Sequence, residues 1–131
     1  MKKALFPFLA LVAILTFQCS PKFALPFGKD LRLTQLLGES VPAAANIGFK
    51  FDQESQKIMG KAGCNNFSAP FTLKGDKLSF GDGVATKMAC PNMDLENKFL
   101  GMLSQVKQIK QVGSKFQFFD EAGKALAAFS E

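Results

Sequence analysis

A chain of 131 residues with 15 Phe, no Trp, no Tyr and no His, and a formal net charge of +5, has few chemistries open to it. Without histidine it lacks the commonest general base, the usual neutral metal ligand and the imidazole partner of a Ser or Cys nucleophile. Its 11 carboxylates are scattered, with no paired spacing of the glycosidase kind, and the charge falls to +3 once Lys2 and Lys3 are set aside, too weak to argue for nucleic acid.

Lys2 and Lys3 precede an uncharged apolar run over residues 4–17. A basic start before an apolar stretch of about 7–15 residues is the pattern of a secretory signal. The run is shorter than the roughly 20 residues that a bilayer-spanning helix needs, and Pro7 would weaken such a helix. Residues 1–18 therefore read as a signal peptide, closed by Cys19. Bacterial lipoproteins are cut just before a cysteine, which then takes a diacylglycerol thioether. Cys19 is the lipidation candidate, with Thr16 and Gln18 matching the usual signal loosely. The alternative is cleavage by ordinary signal peptidase to a soluble secreted or periplasmic form, although no good small-residue site stands nearby. Residues 19–29 carry Pro21, Pro26 and Gly28 and suit a tether to a single domain over residues 30–131.

Leu31, Leu33 and Leu36 open the domain as a strand that ends at Gly38. Ile47, Phe49 and Phe51 alternate with Gly48, Lys50 and Asp52, the mark of a half-buried strand. A polar turn over residues 52–55 leads into a strand over residues 56–62. Phe67, Ala69, Phe71 and Leu73 alternate again, and Gly75-Asp76 turns the chain into residues 77–80 as a hairpin before Gly81 and Gly83 break it. Leu95, Phe99, Met102, Leu103 and Val106 form one apolar stripe at helical spacing, which predicts a helix over residues 94–107. Asn92 or Asp94 would cap it, Glu96 would complement its N-terminal dipole, and Lys107 and Lys110 would suit its far end. Residues 116–119 and 124–129 read as two closing strands. Connections this short exclude parallel crossovers, so the expected class is α+β: a small curved antiparallel β-sheet packed on one helix, preceded by the signal peptide.

Cys64 and Cys90 are the remaining chemistry. Neither lies in a C-x-x-C pair, no histidine completes a zinc site, and a lone thiol nucleophile has no base. In an exported chain the expected fate is a disulfide worth roughly 3–4 kcal/mol on a loop-closure estimate; buried free thiols are the alternative.

The pieces Gly63-Cys64-Asn65 and Thr86-Lys87-Met88-Ala89-Cys90-Pro91, in order with Phe51-Asp52, Gly60, Leu78-Ser79-Phe80 and the helix from Glu96 to Leu103, resemble the META domain family, also called the heat-shock-protein HslJ-like family. The resemblance covers about residues 30–131. It implies a bacterial envelope protein, often a lipoprotein, linked to stress or antibiotic tolerance and without established catalysis. On this resemblance Cys64 and Cys90 take the family's cysteine positions, and Asn65, Thr86, Met88 and Pro91 take neighbouring motif positions. Their expected roles are structural: Asn65 bonding its own backbone in a turn and Met88 filling a core gap, with a binding surface as the alternative. Two departures are concrete: Leu31 stands where relatives commonly have Trp, and Phe67 where they often have Tyr.

The function expected is that of a non-catalytic envelope protein, with no cofactor and no metal. It is anchored through lipid on Cys19 to the periplasmic side of a membrane, the outer membrane for preference, and it binds or stabilises another envelope component, with stress as the setting. A carrier of a hydrophobic ligand, for which 15 Phe give some material, is the alternative. Thiol chemistry at Cys64 or Cys90 is a third reading.

Overall fold

The computed structural model describes residues 23–131; the signal segment 1–18, Cys19 and the first residues of the tether lie outside the described residues. In chain order the strands are β1 (Leu31–Leu36), β2 (Glu39–Ser40), β3 (Ile47–Asp52), β4 (Lys57–Ala62), β5 (Asn66–Lys74), β6 (Lys77–Phe80) and β7 (Val84–Ala85). The helix α1 (Asp94–Met102) follows, then β8 (Gln108–Val112), β9 (Lys115–Phe119) and β10 (Ala125–Ser130).

Eight of the strands run in the spatial order β6-β5-β4-β3-β1-β10-β9-β8, with β2 on β1 and β7 on β5. Every strand pair is antiparallel. An antiparallel ring closes without a parallel seam only when its strand number is even, and here the two ends meet. The Leu78 N–H donates to the Lys107 carbonyl (3.1 Å) and the Ile109 N–H to the Asp76 carbonyl (2.9 Å), an antiparallel bond pattern. Gln108 Nε2 adds a bond to Asp76 Oδ2 at 2.6 Å. The curved sheet is thus nearly a closed barrel.

Alternation along the strands fills its axis. Phe49 and Phe51 of β3, Phe67 and Phe71 of β5, Phe118 of β9 and Phe129 of β10 are all buried. Their rings meet mostly edge to face, as at Phe49–Phe129 (4.9 Å between centroids) and Phe51–Phe71 (5.2 Å), the arrangement the ring quadrupole favours. Leu33 and Leu36 are both buried despite their odd spacing, because a bulge between Leu33 and Gln35 shifts the register of β1 against β10. Within the stretch read as a tether, Leu25 is buried, Phe23 sits edge-on to Phe116, and Phe27 makes an isolated bridge with Phe51.

The helix lies against the end of the barrel where β4 turns into β5, and Phe99 packs between Phe67 and Phe129. It is shorter than its stripe suggests. It ends at Met102, a 3-10 turn covers Leu103–Gln105, and Val106 takes extended angles (φ −67°, ψ 128°) into β8. Lys110 is therefore a strand residue, and three strands close the chain, not two. Neither Asn92 nor Asp94 caps the helix: Met93 holds that position with no side-chain bond, and Asn92 has a φ of 61°. Among the described residues no helix is long and apolar enough to cross a membrane.

Candidate functional site

The two distinctive sequence pieces meet at the helix-covered end. Gly63, at φ +117°, lets β4 turn sharply, and the Ala62 N–H donates to the Asn65 carbonyl (2.9 Å). That turn buries the Asn65 side chain to 2 % exposure. Asn65 Oδ1 accepts from the Met88 N–H (2.7 Å) and from the Thr86 hydroxyl (2.9 Å), while Nδ2 donates to the Met88 carbonyl (3.4 Å). The side-chain amide thus pairs with both backbone groups of Met88, as a neighbouring strand would. Thr86 completes the contact: its Oγ1 accepts from the Asn66 N–H (3.1 Å) and its own N–H donates to the Asn66 carbonyl (3.0 Å).

Two further ties hold the same loop. Cys64 and Cys90 are joined by a disulfide, their Cα atoms 6.4 Å apart. Glu96, 4 % exposed on the first turn of α1, accepts through Oε2 from the backbone N–H groups of Cys64 (3.1 Å) and Asn65 (3.4 Å). Two N–H donors on one carboxylate oxygen compensate its burial, and no buried side-chain polar atom among the described residues lacks a partner.

Two expectations are corrected here. Asn65 does not bond its own turn but reaches 23 residues along the chain, because the loop that follows β7 passes over it. Met88 fills no core gap: its backbone is gripped and its side chain is 53 % exposed. Glu96, read as a dipole partner, acts on the turn between β4 and β5, and only the tertiary approach of α1 to that turn could reveal it. Pro91 is exposed just beyond the disulfide. No group of three or more His, Cys, Asp or Glu gathers as metal ligands among the described residues. In this clasp of Asn65, Thr86, Glu96 and the Cys64–Cys90 disulfide, both thiols are joined and Glu96 Oε2 is engaged by two N–H donors.

The open surface lies outside the barrel wall. A cleft of about 490 Å³ runs over the outward faces of β1, β3 and β4, lined by Arg32, Gly48, Lys50 and Lys61 and walled by residues 41–43. A second, more open cleft of about 660 Å³ shares Met59 and Lys61 with it and continues to Val84 and Thr86, at the edge of the clasp. Met59 and Val84 are 45 % and 73 % exposed. These outward positions are visible in the strand alternation, but which of them align across strands depends on register.

The fold and surface define a class: a small antiparallel barrel with one helix across its end, a packed interior and clefts on its outer wall. The META domain family profile matches residues 25–131, and the chain belongs to that family. Among solved structures, an NMR structure of a protein from Burkholderia xenovorans is similar at 24 % identity and a TM-score of 0.63, over 79 % of this chain and 81 % of that one. A second NMR structure is similar at 22 % identity and a TM-score of 0.59, over 77 % and 86 %. A crystal structure of a DUF4847 family protein from Bacteroides vulgatus follows at 14 % and 0.51, over 66 % of this chain and 59 % of that one. These likenesses establish the fold. No curated protein matches the chain.

Proposed function

We propose that this protein is a non-catalytic envelope module, anchored through lipid on Cys19 to the periplasmic side of the outer membrane, that binds or stabilises another envelope component. The observation that carries the reading is the contrast between a ring-filled axis and clefts on the outer wall. Phe118 and Phe129 stand 4.8 Å apart and Phe49 and Phe129 4.9 Å apart, which leaves a ligand tail no room between them. Binding therefore belongs to the exterior, and the carrier reading loses its main support. The disulfide suits an oxidising compartment. A role under stress rests on family membership alone.

The test is the intact mass and membrane fractionation of the mature protein, made with its own N-terminal segment in a diderm bacterial host, beside a Cys19→Ala variant. Acylated Cys19, with the protein in the membrane fraction and the variant released from it, is the expected result. A free, unacylated mature form that lacks Cys19 overturns the anchor.

A further inference from the structure

Three neighbouring strands make a basic cradle on the outer wall. The register sets Arg32 of β1 opposite Gly48 of β3, and Gly48 opposite Lys61 of β4. Adjacent strands lie about 4.8 Å apart, so the two cations stand about 10 Å apart at Cα with a glycine between them. That gap is one side chain wide. A Cβ on Gly48 would come within 2.5 Å of the Leu31 carbonyl oxygen, so the floor stays bare backbone. Val41, Pro42 and Ala43 raise one wall, and Met59 lies two positions along β4 from Lys61 on the same face.

The charge of the cradle is uncompensated. Asp30 is the one carboxylate that lines it, and it already pairs with Lys50 at 3.4 Å. Arg32 and Lys61 have no ion pair among the described residues, and residues 1–22 contain no Asp or Glu that could supply one.

We propose that this cradle binds an acidic segment of a partner protein. A carboxylate side chain sits over Gly48 between Arg32 and Lys61, and an apolar side chain two residues along the segment lies on Met59 and Val84. A protein segment suits the site better than a membrane surface, because residues 41–43 wall one side of the cleft and its floor at Gly48 is a strip of bare backbone one side chain wide. Basic and apolar contacts also follow one another at the spacing of alternate residues in an extended chain. The proposal rests on the reading of the protein as a binding module.

The test is NMR on the isotope-labelled full chain in zwitterionic detergent. The probe is a nonapeptide with Glu-Ser-Leu-Ser-Glu at its centre and Ser/Gly flanks, which puts both Glu and the Leu on one face of an extended chain. The expected result is amide shifts at Arg32, Gly48 and Lys61 that weaken with added salt, and roughly tenfold weaker binding by the Arg32→Ala/Lys61→Ala variant. A Lys74→Ala/Lys115→Ala variant, with the same change in net charge elsewhere, keeps its affinity. Should the double alanine variant fail to fold, Arg32→Glu in the same assay is expected to gain response to a Lys-Ser-Leu-Ser-Lys peptide. An equal response to a Gln-Ser-Leu-Ser-Gln peptide, an equal loss in the control variant, or shifts produced only by phosphatidylglycerol vesicles overturns the proposal. An unanchored chain that binds the peptide leaves the cradle standing and removes the anchor; an anchored chain that ignores the peptide does the reverse.

Discussion

At Asn65 one amide replaces a strand neighbour, satisfying the N–H and the carbonyl of Met88 and the hydroxyl of Thr86. Truncation strands those groups near a buried position, where an unpaired polar group costs about 1–3 kcal/mol. Asn65→Ala is expected to lower stability by about 2–3 kcal/mol, read as a fall in the urea midpoint with the m-value unchanged. Asp52 shows the same logic at the surface. Its carboxylate accepts from the Ser55 hydroxyl and from the Ser55 N–H (2.8 Å), and these bonds hold its pKa below the ordinary 3.8. A carboxyl depressed in the fold adds stability above its unfolded value, and that stability is lost as pH falls through the folded one. Ser55→Ala removes the hydroxyl, the larger cause, so the Asp52 pKa should rise toward 3.8 in an NMR titration. An unmoved value would assign the depression to the backbone bond alone.

Among the elements, β4 depends most on a missing side chain. Gly60 pairs with Phe49, and a Cβ there would lie 2.6 Å from the Phe49 Cα and also strike the Gly48 carbonyl oxygen. Backbone cannot yield as a flexible side chain can, so Gly60→Ala is expected to cost about 1–3 kcal/mol in chemical denaturation. The strands with one buried face were legible in the sequence: β3 and β5 alternate strictly because the barrel axis takes every second residue. The end of α1 was not. Val106 lies on the helical stripe and is buried equally well at the entry to β8, so periodicity cannot place the boundary. With two residues each, β2 and β7 carry no period at all. Asn65 and Thr86 were both legible as motif residues, but their bond to each other required the loop after β7 to fold back over the turn between β4 and β5. The basic cradle was illegible for a similar reason: Arg32, Gly48 and Lys61 align only once two registers are known.

For the molecule as a whole, closure is uneven. Strands β3 and β4 pair over six residues each, whereas β6 and β8 meet through two backbone hydrogen bonds and the Gln108–Asp76 contact. Elements with few backbone bonds open below the global unfolding free energy. In native-state hydrogen exchange the amides of Leu78 and Ile109 should exchange through local opening, while those of β3 exchange only with global unfolding. Equal protection would make the seam part of one cooperative unit. The pairing of β1 with β10 has a different consequence. It brings the entry to β1 beside the end of β10, with Lys29 Nζ 2.8 Å from Glu131 Oε1, while Phe23 packs on Phe116 of the neighbouring β9. The ring therefore has no preferred starting strand. A few glycines from Glu131 back to Phe23, with a new opening at the exposed Gly113-Ser114 turn, would cyclically permute the sequence and leave every strand beside the same neighbours.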